Sequence, residues 1–308
     1  MEITRVDSKT YRSFFPNPYH RFNTVEFTEL NKDKCLDIHY LIFKDSKLRF
    51  GIILGEKEDT LKSPFSAPFG GFSSLKNEKI ENYESAALAL KSYAGQIGKP
   101  VIISTPPTIY NYSDVIKTYS SLTRNNASVL YCDLNFQFEL YRFEQYEKWI
   151  DYAAKKNLHN ALKKEFQFIK LDSGNESDVE RAYDVIRRNR YQRGFPLHMS
   201  LEAVLNTIKI IPADFFICSL NGIDMAAAQV FHVAESIAQV IYWGDIPEYS
   251  HLRVMNFLSY KVFEYYYNSG LRILDIGPST EKGNPNYGLC SFKENIGCTI
   301  SAKYTFNL

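Results

Sequence analysis

Near its C-terminus the chain reads Arg272-Ile273-Leu274-Asp275-Ile276, then Gly277-Pro278-Ser279, then Asn286-Tyr287-Gly288-Leu289-Cys290-Ser291-Phe292-Lys293-Glu294-Asn295-Ile296-Gly297. A helical run closes ahead of this stretch at Gly270, so the order is helix, short buried strand, proline-marked stop and second helix. An earlier stretch repeats that order, with Ala86 to Gly98 as helix, Val101 to Ser104 as strand and Pro106-Pro107 as the stop. Gly98 and Gly270 lie 172 residues apart, as do Pro106 and Pro278, and Gly71 precedes Gly244 by 173. A repeated order of elements at nearly one spacing marks a duplicated supersecondary unit. The expectation is an α/β (α+β) protein of two domains, residues 1–142 and 143–308, meeting near residue 143 with a cleft between them.

A chain of 308 residues can bury two cores of ordinary size. Hydrophobic residues at 45% and charged residues at 23% place it among globular rather than disordered proteins. The 22 Tyr and 22 Phe either fill those cores or line a groove for a flat or extended ligand. A formal net charge of +1 gives no global attraction to nucleic acid or an anionic membrane, so any polyanion must be met locally. The start, Met1-Glu2-Ile3-Thr4-Arg5-Val6-Asp7, shows no secretory signal, and no apolar segment approaches the length of a membrane span. Cys35, Cys132, Cys218, Cys290 and Cys298 are odd in number and scattered, which argues for reduced thiols in the cytoplasm and against a structural zinc site.

Outward from the repeat, Leu36–Phe43 and Leu48–Leu54 read as a hairpin, and the segment from Ser63 to Phe72, rich in Pro and Gly, reads as an irregular edge or loop. Asp114–Asn125 reads as helix, Ser128–Leu140 as strand, and Tyr141–Glu165 as one long helix or two joining the halves. The second half runs strand Phe166–Leu171, helices Ser177–Arg193 and Ser200–Ile210, then strands Asp214–Leu220, Ile223–Val233 and Ile237–Trp243. Asn221-Gly222 is a hairpin signal between the first two of those strands. Met255–Asn268 and Tyr287–Asn295 are helical and Thr299–Phe306 is a last strand.

That order, with the Gly270-Leu271-Arg272-Ile273-Leu274-Asp275 connection and the Gly288-Leu289-x-x-Phe292-Lys293-x-x-x-Gly297 segment, resembles an acyltransferase domain of the GNAT superfamily. Two such units in one chain resemble its tandem, FemAB-like branch. The resemblance implies two tandem GNAT-like domains with mixed sheets flanked by helices. It also implies transfer of an acyl or aminoacyl group to an amine of a cell-envelope precursor, amino sugar or peptide in bacterial cytoplasm. Two central parallel strands would splay so that exposed strand backbone pairs with the donor's amides, here Ala238–Trp243 and Arg272–Ile276. Acetyl-CoA users of the superfamily share a Gly-rich loop at a helix start that cradles pyrophosphate. The matching stretch here, Gly244 to Arg253, has one glycine, Pro247, Asp245 and Glu248, a poor cradle. The resemblance thus leaves two donors, aminoacyl-tRNA with tRNA as a partner, or acyl-CoA, and no resident cofactor. A duplicated, non-catalytic module that binds a peptide or partner protein is the alternative.

Lys293 matches a lysine that the resembled family keeps near the transfer centre, where a cation stabilises a developing oxyanion; otherwise it sits on a solvated helix face. Asp275, mid-strand among apolar residues, is either catalytic or half of a buried polar pair. Asp245, at the end of the first splayed strand, could take a proton from an ammonium acceptor, with Tyr242 and Trp243 flanking the donor arm or packing in the core. His251 and Arg253 begin the next helix as candidate phosphate contacts. Arg187, Arg188, Arg190 and Arg193 form a basic helix end of the kind helix dipoles favour, with Arg193 at a loop facing substrate. Tyr287 and Phe292 in the C-terminal motif, and Phe69 and Phe72 in the first-unit counterpart of Ser236–Gly244, complete the substrate set. The histidines, His39 among them, show no metal-ligand spacing.

Overall fold

Gly98 and Gly270 both take φ +75°, the left-handed conformation that glycine reaches without Cβ strain, and each closes the helix before it. The third landmark of the repeat shares position but not conformation: Gly71 is left-handed, whereas Gly244 is needed for space, since a Cβ there would meet the Asn189 side chain at 2.5 Å. The computed structural model describes every residue from Met1 to Leu308. It divides into two units, Met1–Leu134 with Thr280–Asn284 and Ser301–Leu308, and Asn135–Ser279 with Pro285–Ile300.

The first unit runs β1 (Glu2–Val6), α1 (Ser8–Phe14), α2 (Val25–Leu30), β2 (Asp37–Lys44), β3 (Leu48–Glu56), β4 (Leu61–Ser63), β5 (Ser73–Ser74), α3 (Ile80–Ile97), β6 (Val101–Ser104) and α4 (Tyr112–Arg124). β7 (Ser128–Glu139) begins in it. The second unit continues with α5 (Tyr152–Leu162), β8 (Gln167–Leu171), α6 (Glu176–Gln192), α7 (Leu201–Ile208), β9 (Ala213–Leu220), β10 (Ile223–Ala234), β11 (Ile237–Asp245), α8 (Val254–Asn268) and β12 (Ile273–Pro278). The hairpin strands β13 (Thr280–Glu281) and β14 (Asn284–Pro285), then α9 (Tyr287–Asn295) and β15 (Thr299–Asn307), complete the chain.

Strand order is β1-β2-β3-β4-β6-β15 in the first unit and β8-β9-β10-β11-β12-β7 in the second. In both, the first four strands are antiparallel neighbours, the fourth and fifth are parallel, and the last is antiparallel. A parallel step needs a crossover, and α3 and α8 supply it. The duplication is therefore topological, two sheets of one strand order in tandem. The closing strands are exchanged. Residues 135–139, which follow α4, pair with β12, and residues from 301 onward, which follow α9, pair with β6. The division consequently falls at Leu134 rather than residue 142, and residues 301–308 belong to the first unit.

Each unit has its own core. α3 sets Tyr83, Ala86, Leu90 and Ala94 against Phe50, Ile52 and Leu54. α8 sets Phe257, Leu258, Val262, Phe263 and Tyr266 against Ala226, Ala228, Ala238 and Val240, where small strand residues admit large helix residues. The segment Tyr141–Glu165 is not one helix: 3₁₀ turns over Leu140–Lys148 break at Gln145 (φ −127°), and α5 restarts after Asp151, whose carboxylate caps Ala153 N–H. The first 35 residues, without an assigned element in the sequence reading, form β1, α1 and α2; Asp7 and Thr24 cap the two helices, a signal readable in the sequence. No helix is long and apolar enough to cross a membrane.

Asp214 on β9 accepts hydrogen bonds from His232 Nε2 (2.7 Å) and Tyr266 OH (2.9 Å) and pairs with Lys170 Nζ (2.8 Å), joining β8, β10 and α8. Burial pushes its carboxyl up, but these three donors outweigh burial and hold it down at about 2. A depressed carboxyl pKa stabilises the fold above its unfolded value, and that contribution is lost as pH falls through the folded value. Urea unfolding between about pH 5 and pH 2 is expected to lose about 2 kcal/mol through this group. Asp214→Asn should flatten that part of the profile, and an unchanged profile would remove the assignment.

Candidate active site

β11 and β12 pair over three positions only, Ile237 with Ile273, Ala238 with Leu274 and Gln239 with Asp275. Beyond them β11 stays paired with β10 as far as Asp245, while β12 turns through a register shift between Asp275 and Gly277. The two strands therefore part after Gln239 and Asp275, leaving backbone donors and acceptors of Val240–Asp245 and Ile276–Pro278 unpaired with each other.

Two buried charges hold that opening. Asp275, fully buried, accepts from Asn135 Nδ2 (2.8 Å), the Gly277 N–H (2.8 Å) and Gln239 Nε2 (2.8 Å), so its carboxylate ties β7, β11 and the bend of β12 together. Lys293 lies on the inward side of α9, 4% exposed, above the Phe136 ring. Its Nζ donates to the carbonyls of Ile276 (2.9 Å), Gly277 (2.9 Å) and Pro278 (3.2 Å). Three N–H groups meet three carbonyls, so the ammonium is satisfied by the strand end it grips. Burial lowers its proton affinity to about 8; Cys298, Asp275 and Cys290 oppose that shift, and the charge of Arg190 adds to it.

Asp245, 5% exposed, accepts from Arg193 Nη2 (2.8 Å) and from Ser250 Oγ, and its backbone carbonyl takes Asn189 Nδ2 (2.6 Å). Both carboxylate oxygens are engaged, so the residue latches the end of β11 to α6, and Arg193 is its partner. Tyr242 is buried, accepting the His198 N–H at its hydroxyl (3.2 Å). Trp243 is half-buried on the opposite face, its ring 6.4 Å from Phe292 and 6.5 Å from Phe263. Tyr287 opens α9 on the surface at 80% exposure. His251 and Arg253 are exposed between β11 and α8, Arg253 with φ +62°. The two first-unit aromatics are packing residues: Phe69 is fully buried against His20, Phe22 and Tyr110, and Phe72 packs on Phe43 and Phe50. They offer no face to a ligand.

Sequence reading missed Asn135 and Gln239, the partners of Asp275, and Ser250, the partner of Asp245. For Gln239 the cue existed, since it too is a polar residue at the middle of an apolar strand. The fold also gathers Asp37, His39 and Glu56, whose ligand atoms lie within 4.8 Å of one another. Cations already serve both acids there, Arg5 at Asp37 and Lys99 at Glu56, while His39 bridges Glu56 and Tyr93.

No protein-family model and no curated protein matches the sequence. Solved structures do match it in shape. FemX superimposes with a TM-score of 0.70 at 13% identity, over 100% of this chain and 97% of its own. The C-terminal DUF2156 domain of a putative lysylphosphatidylglycerol synthetase from Agrobacterium fabrum gives 0.63 at 10% identity, over 98% and 92%. A tandem GNAT protein from the clavulanic acid biosynthesis pathway gives 0.54 at 7% identity, over 99% and 97%. The chain shares the tandem GNAT-like fold of these structures. In that fold the splayed strands are β11 and β12, and Lys293 and Asp275 stand at their parting.

The gripped strand end makes Lys293 a stabilising residue. Lys293→Met should lower the unfolding free energy by about 2 kcal/mol, because three carbonyls lose their donor. A lysine whose proton affinity falls from 10.5 to about 8 on folding binds fewer protons than the unfolded chain between those values. The cost of burying the ammonium is therefore fully present below about 8 and is relieved only as pH rises toward 10.5. Denaturant unfolding across that window should show stability rising with pH in the wild type relative to Lys293→Met; parallel curves would contradict the buried ammonium.

Proposed function

We propose that the chain is an N-acyl- or aminoacyltransferase acting at the parting of β11 and β12, with an amino sugar, peptide or cell-envelope precursor as the amine acceptor. The observation that carries this reading is the three-pair parallel contact followed by a splay whose edge is held by a buried lysine. The neutral amine attacks the donor's carbonyl carbon; a C–N bond forms, the ester or thioester bond breaks, and the leaving tRNA hydroxyl or CoA thiol departs with the proton the amine gives up. Unpaired backbone of β11 past Gln239 would align the donor's amide or ester arm. Lys293 keeps that edge in place, and its charge, in surroundings of low dielectric, favours the oxyanion of the tetrahedral intermediate. Asp245 and Arg193 fix the end of β11.

For the donor, an aminoacyl-tRNA is favoured over acyl-CoA. The connection from β11 to α8 is a 3₁₀ turn over Pro247–Leu252 in place of a glycine loop; Pro247 lacks a donor, and Glu248 puts an exposed acid beside the helix start. Asp245 adds little to that repulsion, since Arg193 compensates its charge. The name of the lysylphosphatidylglycerol synthetase domain, which refers to a lysyl cargo, favours the same donor class.

The test combines calorimetric titration with acetyl-CoA and longer acyl-CoAs and a transfer assay in which charged tRNA or acyl-CoA is mixed with peptide and amino-sugar acceptors and followed by mass spectrometry. Transfer from charged tRNA without micromolar CoA binding is the expected result, with Lys293→Met lowering turnover about a hundredfold. Micromolar CoA binding would move the donor to acyl-CoA. Peptide binding with no transfer from either donor would instead favour a duplicated binding module.

A further inference from the structure

Arg190 is a partly buried cation of the second unit that has no acid partner. Along α6, Arg181 pairs with Asp224, Arg187 with Asp184, and Arg193, just beyond its end, with Asp245. Arg190 has no such acid. Its guanidinium lies over the rings of Tyr242 (5.0 Å) and Phe195 (5.9 Å), and its Nε is buried without a partner. Desolvation holds its proton affinity below the ordinary arginine value, the mark of a cation kept from water without a countercharge.

The strand surface beneath it is also polar. Gln229 on β10, the cross-strand neighbour of Tyr242, is fully buried, and neither its Oε1 nor its Nε2 has a protein partner. Gln239 lies on the same face, opposite Phe231; its Nε2 is spent on Asp275 and its Oε1 is unpartnered. A buried amide with both atoms unmatched is uncommon in a folded interior, and here two glutamines with unmatched atoms share a face with an unmatched arginine. Gln239 pairs with Asp275 at the last of the three parallel positions, which places this face beside the parting of β11 and β12.

We propose that Arg190, Gln229 and Tyr242 form a subsite for a ligand carboxylate, so that one substrate is an amino acid or peptide carrying a free carboxyl group close to its reacting end. A planar guanidinium offers two parallel N–H groups to a carboxylate, and the rings of Tyr242 and Phe195 lie 5.0 and 5.9 Å from it. The Gln229 amide supplies a further donor, and Gln239 Oε1 can accept from the N–H beside the carboxyl group. A phosphate fits less well, because a group approaching two negative charges would be buried against one cation. The identity of this ligand as a substrate rests on the transferase reading, but its binding can be measured without turnover.

The probes are N-acetylated amino acids and dipeptides, each paired with its C-terminal amide, together with inorganic phosphate, titrated by calorimetry and thermal shift. In the wild type the free acids should bind about tenfold more tightly than the matched amides, the factor for one charge-assisted pair. Arg190→Gln should erase that preference while leaving amide binding in place, and Arg190→Lys should retain part of it. Arg187→Gln, on the exposed face of the same helix, should preserve it in full. Equal binding of acid and amide, binding of phosphate in preference to every carboxylate, or no binding by any probe up to its solubility would each overturn the proposal. Loss of transfer activity with the acid preference intact would instead count against the transferase reading and leave the subsite standing.

Discussion

The site depends on a parallel strand pair that stops early. β11 and β12 share three residue pairs, and a fully paired edge would have closed the backbone groups that the site exposes. The stop has a physical cause in the bend of β12. Gly277, at φ +70°, lets the strand turn after Asp275, whose carboxylate accepts the Gly277 N–H and fixes the bend from one side. From the other side Lys293 collects the carbonyls of residues 276–278, groups that would otherwise be buried without a donor.

Under the proposed transferase reading, the same residues would hold the fold and serve the reaction. Lys293 and Asp275 are costly to bury, and each is tolerable because backbone or amide groups satisfy it completely. Complete satisfaction also makes them rigid. A charge that cannot turn away is already placed when a carbonyl oxygen becomes anionic, so the interactions that stabilise the strand end would also contribute to catalysis. Asp245 shows the contrasting outcome: it lies near the same opening, yet Arg193 and Ser250 occupy its carboxylate and leave it an anchor.

The two units share topology while differing in what fills the equivalent position. In the second unit β11 is nine residues long and its departure from β12 leaves an edge. In the first, β4 has three residues, and the chain after it packs Phe69 and Phe72 into the core. Duplication thus produced one unit with an open strand edge and one in which aromatic side chains take up the corresponding segment. The exchange of closing strands has a simple basis as well: each β6-like strand needs an antiparallel partner, and the partner it receives comes from the other copy's chain segment.

Local sequence determined most of the elements. Glycine stops at Gly98 and Gly270, the Asn221-Gly222 turn and the apolar runs of β9 to β11 act over a few residues, and the helix-strand-helix order at the C-terminus was sufficient to indicate the tandem fold. The same locality showed that Lys293 and Asp275 were unusual, because a lysine in a glycine-bounded helix and an acid inside an apolar strand are visible without any partner. Tertiary structure decided what each does. Whether Lys293 faces water or three carbonyls, whether Asp245 is free or latched, and whether Arg190 meets an acid depend on residues 5 to 52 positions away or on none at all. The unit boundary escaped the sequence for the same reason: β7 and β15 look like ordinary final strands of their own repeats, and only long-range pairing, which leaves no local trace in side-chain pattern, assigns each to the other copy.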